Sequence, residues 1–176
     1  MEGYMELVLN LPKVPVGETV VTTQVNTDFF SEFEDSPISE ASYHVWAELD
    51  RKPGMYILTV TAEGWHAATC DRCLEPIRLP GTAKYEYYFQ KGEQPVDAPA
   101  EDLILLEGNE TELDLRPFVY ETIVLSLPMV NIYDCEDDPE APCDENVLKI
   151  LREGERRALE KENPAWDVLK KIKFKE

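Results

Sequence analysis

The run YHVWAELDRKPGMYILTVTA, residues 43–62, decides the fold. Side chains of an extended chain point alternately to its two sides, so Tyr43, Val45, Ala47 and Leu49 share one face while His44, Trp46 and Glu48 share the other. The alternation resumes further on, with Tyr56, Leu58, Val60 and Ala62 together. Between the two runs lies Lys52-Pro53-Gly54. Proline pre-sets φ for the first corner of a turn and glycine admits positive φ at the second, so this tripeptide reads as a hairpin turn. The pattern predicts a long antiparallel pair of strands.

Working outward, residues 4–11 and 18–25 are rich in β-branched and aromatic types and end at turn formers, so they read as further strands. Thr27 or Asp28 is placed to cap a helical turn carrying Phe29 and Phe30. Ala83, Tyr85, Tyr87 and Phe89 share a face of another strand pattern, residues 91–102 read as a loop with Gly92, Pro95 and Pro99, and residues 103–106 as a short strand. From Leu115 the period changes. Leu115, Phe118, Val119 and Ile123 follow helical spacing, Asp114 is placed as N-cap, Pro117 falls in the tolerant first turn and Pro128 stops the helix. Val147, Leu148, Leu151, Ala158 and Leu159 suggest a second helix weakened by Gly154, and Asn163-Pro164 opens a third before Trp166. The expected architecture is α+β, predominantly antiparallel β, with helices in the C-terminal third.

A chain of 176 residues is enough for one domain with extensions and a sizeable core. Its charge is extreme, with 17 Lys and Arg against 36 Asp and Glu and a net of −19. Residues 1–145 hold 8 basic and 30 acidic side chains, whereas 146–176 hold 9 and 6. The division expected is therefore an acidic β-rich domain, 1–145, and a mildly basic helical extension, 146–176, docked on it. Such a body repels phosphate backbones and anionic membranes, so contact with an anion falls to the tail, where Lys149, Arg152 and Arg156 share a helical face. No apolar run is long enough to span a bilayer, and Glu2 and Glu6 interrupt the first residues where a secretory leader would be basic and then apolar. The expected location is the cytoplasm.

In that reducing compartment, four cysteines point to metal or redox chemistry rather than structural disulfides. Cys70-Asp71-Arg72-Cys73 lets two thiolates reach one ion from a tight turn, and Cys135 with Cys143 completes the tetrahedral set that a structural Zn²⁺ prefers. Four sulfurs leave no open position for a reactive water. His66, four residues before Cys70, is an alternative to one sulfur. Free thiols without metal, and a thiol-redox or metal-dependent enzyme using Cys70 and Cys73, are the competing readings. Asp71, Glu75, Asp134 and Glu136 disfavour the thiolate that redox chemistry needs, while the charge of zinc supports it. No other catalytic pattern is present. The glycines are scattered, no serine sits in a nucleophile elbow, and the run Glu136-Asp137-Asp138 reads as a solvated loop. Aromatics at 85, 87, 88 and 89 suit a base-stacking sheet, but without interleaved Lys or Arg a core face with one exposed Tyr is favoured.

Several strings then combine. Cys70-Asp71-Arg72-Cys73-Leu74-Glu75-Pro76, Leu113-Asp114-Leu115, the apolar helix running to Leu125-Ser126-Leu127-Pro128-Met129, Cys135, and Asn163-Pro164-Ala165-Trp166 leading to Leu169-Lys170-Lys171 together resemble the YceD family of large ribosomal RNA subunit accumulation proteins. The resemblance runs in order from about residue 40 to the end and is most specific at the cysteine string. It implies a non-enzymatic factor for accumulation of large-subunit ribosomal RNA and for ribosome assembly, with a cysteine-paired metal site. Fuller members end in a second cysteine cluster, of which only Cys135 and Cys143 stand here. Joined to the net charge, the resemblance implies partners among basic ribosomal proteins or large-subunit assembly intermediates, with any effect on RNA following indirectly.

Overall fold

The hairpin read from residues 43–62 forms and extends beyond its sequence signal. A computed structural model of the protein describes residues 4–91, 103–107, 110–135, 138 and 140–160. Its elements run β1 (Val8–Asn10), β2 (Gly17–Asn26), α1 (Thr27–Ser31), β3 (Ala41–Lys52), β4 (Met55–Thr69), β5 (Pro76–Lys91), β6 (Leu103–Leu106), β7 (Glu112–Asp114), α2 (Arg116–Leu125) and α3 (Glu145–Glu160). Gly54 takes φ 81 in the turn between β3 and β4, a conformation that glycine adopts without a Cβ penalty.

One five-stranded sheet has the order β2-β3-β4-β5-β6, and β1 pairs with β7 in a second, two-stranded sheet. The ladders β2–β3, β3–β4 and β1–β7 are antiparallel, while β5–β6 is parallel, from Tyr88↔Leu103 to Lys91↔Leu106. The fold is thus α+β with mostly antiparallel sheet and its longer helices late in the chain, as the sequence indicates. The expected loop at 91–102 lies outside the described residues apart from Lys91, which ends β5, and the expected third helix at 163–176 lies outside them entirely.

Alternation decides which side is buried. Tyr43, Val45, Ala47, Leu49, Tyr56, Leu58, Val60, Ala62, Ala83, Tyr87 and Phe89 join Phe29, Phe30, Leu115, Val119 and Ile123 in one core cluster. Helix α2 is fastened to β5. The Tyr87 hydroxyl lies 3.2 Å from the Phe118 carbonyl and 3.0 Å from Thr122 Oγ1, and the Phe118 ring meets those of Tyr87 and Phe89 at 4.9 and 5.1 Å.

Three local readings shift. The stretch 4–11 is strand only at Val8–Asn10 and otherwise forms 3₁₀ turns, which bury Leu7 and Leu11 from irregular backbone. Helix α1 is capped by Asn26, whose side chain accepts the Asp28 N–H at 3.1 Å, one residue before the expected cap. Leu115 takes the N-cap position of α2, but Asp114 Oδ1 still accepts the Arg116 N–H at 3.0 Å and supplies the polar closure expected of it.

The chain divides into two compact units. One comprises Met1–Ala68 with Arg78–Met129, the other Thr69–Ile77 with Val130–Glu176. These units are drawn differently from the change of charge at residue 145, because the cysteine turn groups with the later part of the chain.

Candidate functional site

Between β4 and β5 the second unit carries the turn Cys70-Asp71-Arg72-Cys73. The Cys70 N–H donates to the Glu75 carbonyl at 2.9 Å and the Leu74 N–H to the Cys70 carbonyl at 2.8 Å, closing the turn on itself. Leu74 takes φ 64 to make this reversal, a left-handed conformation uncommon for a residue with a side chain. Asp71 ties the turn to a distant strip of chain. Its N–H donates to the Asn131 carbonyl at 2.8 Å, and its Oδ2 accepts the Asn131 N–H at 2.6 Å.

Cys70 and Cys73 are buried free thiols. Burial raises the Cys70 pKa, but N–H donors from the backbones of Tyr133, Cys73 and Arg72, with the Cys73 side chain, outweigh it and bring the thiol to about 7. The Tyr133 carbonyl oxygen lies 3.3 Å from Cys135 Sγ, so this one residue touches a cysteine of each pair with its backbone. Cys135 and Cys143 are joined as a disulfide with Cα atoms 6.2 Å apart. They border a cavity of about 240 Å³ that also meets Asp138, Leu148, Lys149 and Arg152. The Tyr133 hydroxyl donates to Asp138 Oδ2 at 2.6 Å.

All four cysteines therefore belong to one compact unit, although 73 and 135 are far apart in sequence. Among the described residues no three His, Cys, Asp or Glu side chains stand together as a metal-holding group. A disulfide between Cys135 and Cys143 excludes metal ligation by the same sulfurs, which would require the reduced pair. The donor chemistry suits zinc in the reduced chain: a tight turn presents two thiols, its N–H groups already favour the thiolate at Cys70, and the second pair is brought to the same unit.

His66 lies in the other unit. It is buried, with Nδ1 2.8 Å from the Tyr43 hydroxyl and, among the described residues, no hydrogen-bond partner at Nε2. Tyr87 and Phe89 are buried, leaving Tyr85 as the exposed aromatic of that face, so the core reading of these aromatics holds. On α3 Lys149 pairs with Glu145 at 3.8 Å, and Arg152 and Arg156 also engage neighbours. Sequence reasoning missed Leu74, Asn131 and Tyr133, which shape and clasp the turn. Only the Asp within Cys-Asp-Arg-Cys signalled them, as a short acceptor able to hold a backbone N–H.

The fold and site together define a class, an acidic α+β protein whose second unit is organised around cysteine pairs. The model of the family Large ribosomal RNA subunit accumulation protein YceD matches residues 58–173, and the chain belongs to that family. The matched span includes all four cysteines. No curated protein and no solved structure matches the chain. The family description names an accumulation factor rather than an enzyme. Among the described residues no helix is long and apolar enough to cross a membrane.

Proposed function

We propose that the protein is a non-enzymatic cytoplasmic factor supporting accumulation of large-subunit ribosomal RNA and ribosome assembly, acting through basic ribosomal proteins or large-subunit intermediates. Family membership over residues 58–173 carries this reading. Depletion in cells tests it: large-subunit RNA falls relative to small-subunit RNA, and sucrose gradients show a deficit of large subunits. A normal gradient at reduced growth rate counts against the role.

Cys70, Cys73, Cys135 and Cys143 would hold one structural zinc in the reduced protein. Zinc there supplies cohesion and no activated water, since thiolates fill every position. The N–H donors around Cys70 and the gathering of four cysteines in one unit support the assignment. Elemental analysis of protein isolated under reducing conditions should find about one zinc per chain, with the thiols protected until the metal is chelated. Metal-free protein whose thiols titrate rapidly, and stay unprotected after refolding with zinc, removes the site.

The lowered Cys70 pKa, with a disulfide elsewhere in the same unit, gives a second reading, thiol–disulfide chemistry at Cys70 and Cys73. Against it stands burial, because a reacting thiolate must reach its partner. A single fast-alkylating cysteine in metal-free protein would favour this reading.

A further inference from the structure

The side of the five-stranded sheet opposite the core is laid out in rows by the strand register. Glu18, Asp50 and Ile57 stand side by side across β2, β3 and β4, followed by Val20, Glu48 and Thr59, and then Thr22, Trp46 and Thr61. Glu86 of β5 meets the first two rows in a cleft of about 420 Å³. All of these residues belong to the first compact unit.

Two chemistries meet on this face. Val20 is 52% exposed, Trp46 and Ile57 are half-buried, and the Trp46 ring stands edge-on to His44 with centroids 4.3 Å apart. Asp50 stands beside Ile57 and Glu48 beside Val20 in the register, Glu18 and Glu86 line the same cleft, and Lys52 among them is paired with Asp50 at 3.4 Å. The water-facing side of an antiparallel sheet is ordinarily polar. Here Val20 and Trp46, diagonal neighbours in the register, border a cluster of four carboxylates, and apolar anchors beside polar groups are the anatomy of a protein-binding surface.

The geometry points to a docking surface for a Lys- and Arg-rich protein segment, with an apolar side chain laid against Trp46 and cations facing Glu48, Asp50 and Glu86. The inference rests on the basic-partner reading above and assigns it a place. Charge complementarity selects this occupant. Trp46 suits a nucleobase equally well, but the surrounding carboxylates repel the phosphates that nucleic acid would bring with it.

The test uses the full chain, with purified large-subunit ribosomal proteins presented singly and protein-free large-subunit RNA as probes. Trp46→Ala and the double variant Glu48→Lys with Glu86→Lys are compared with wild type and with a control, Glu34→Lys with Glu121→Lys, which reverses the same number of charges at exposed positions elsewhere. At least one basic protein should bind wild type and control alike and bind the two face variants about tenfold or more weaker, with unchanged circular dichroism. If a face variant misfolds, Glu48→Gln with Glu86→Gln, which keeps side-chain size, must show the same direction of change. Equal weakening in the control would overturn the placement while leaving the basic-partner reading intact. Failure of every basic protein to bind wild type removes both. Tighter binding to protein-free RNA than to any protein, lost in Trp46→Ala, overturns the occupant.

Discussion

At the scale of single residues, two conformational and electrostatic choices set measurable energies. Leu74 holds φ 64 with its side chain 75% exposed, so the left-handed conformation costs stability while the side chain gains little from packing. That conformation disfavours an L-residue by roughly 1–2 kcal/mol, and the entropy of an added glycine offsets part of the relief. Leu74→Gly should therefore stabilise the protein by about 0.5–1 kcal/mol, and the stiffer Leu74→Val should destabilise it. Urea denaturation ranks the three, and a glycine variant no more stable than wild type would sink the argument. The buried pair Tyr43 and His66 makes the second case. Burial pushes Tyr43 up to about 12 and moves His66 down, and the Tyr43 hydroxyl and His66 Nδ1 share a hydrogen bond at 2.8 Å. The unfolded imidazole takes a proton near pH 6.5, and the folded one does so only at lower pH. Below about 6.5 the unfolded state thus holds more protons, and stability falls with falling pH until the folded group also titrates. Thermal midpoints from about pH 7 to 5 should decline less steeply in His66→Gln. An unchanged slope in the variant assigns the decline to other groups.

At the scale of elements, two glycines predict changes of opposite sign. Gly64 in β4 faces the backbone of β3, and an added Cβ would collide with the Ser42 carbonyl oxygen and stand 2.7 Å from Tyr43 Cα. Since backbone cannot turn aside as a side chain can, Gly64→Ala should cost about 1–3 kcal/mol. Gly154 lies within α3 with nothing inside 4 Å of an added Cβ, so Gly154→Ala should stabilise by up to about 1 kcal/mol through helix propensity alone. Denaturation by urea with helix content followed by circular dichroism separates the two, and equal signs would defeat the comparison. The same contrast explains what could be read from the sequence. Period-two alternation made β3, β4 and the apolar side of β5 legible, because each strand exposes one side and buries the other. Strand β1 was not legible as three residues among 3₁₀ turns, since its only cause is pairing with β7 through Leu9↔Leu113, more than a hundred residues away. The cysteine turn was readable from its spacing. Its clasp was not, because the Asp71–Asn131 pair joins residues 60 apart that share no local signal.

At the scale of the whole molecule, the net charge of −19 acts on folding and on association with opposite signs. Mutual repulsion among carboxylates destabilises the compact state, because folding brings these charges closer together than they stand in an expanded chain. The ion pairs that oppose it are exposed, such as Arg78–Glu40 at 2.9 Å and Lys52–Asp50 at 3.4 Å, and exposed pairs contribute about 0–1 kcal/mol. Repulsion summed over many sites therefore dominates the response to screening. Raising sodium chloride from about 0.01 to 0.5 M shortens the Debye length from roughly 30 Å to a few Å. If repulsion relieved in this way amounts to about 1 kcal/mol, the thermal midpoint should rise by about 2–4 °C. The proposed partner would respond in the other direction: attraction between an acidic sheet face and a basic protein weakens as the same screening sets in, and association slows. Scanning calorimetry and association kinetics over one salt series measure both. A midpoint that falls with salt would mean that ion pairs, not repulsion, govern the fold. Association that is insensitive to salt would mean that partner capture relies on apolar contact, shifting the weight on that face from Glu48 and Glu86 to Trp46.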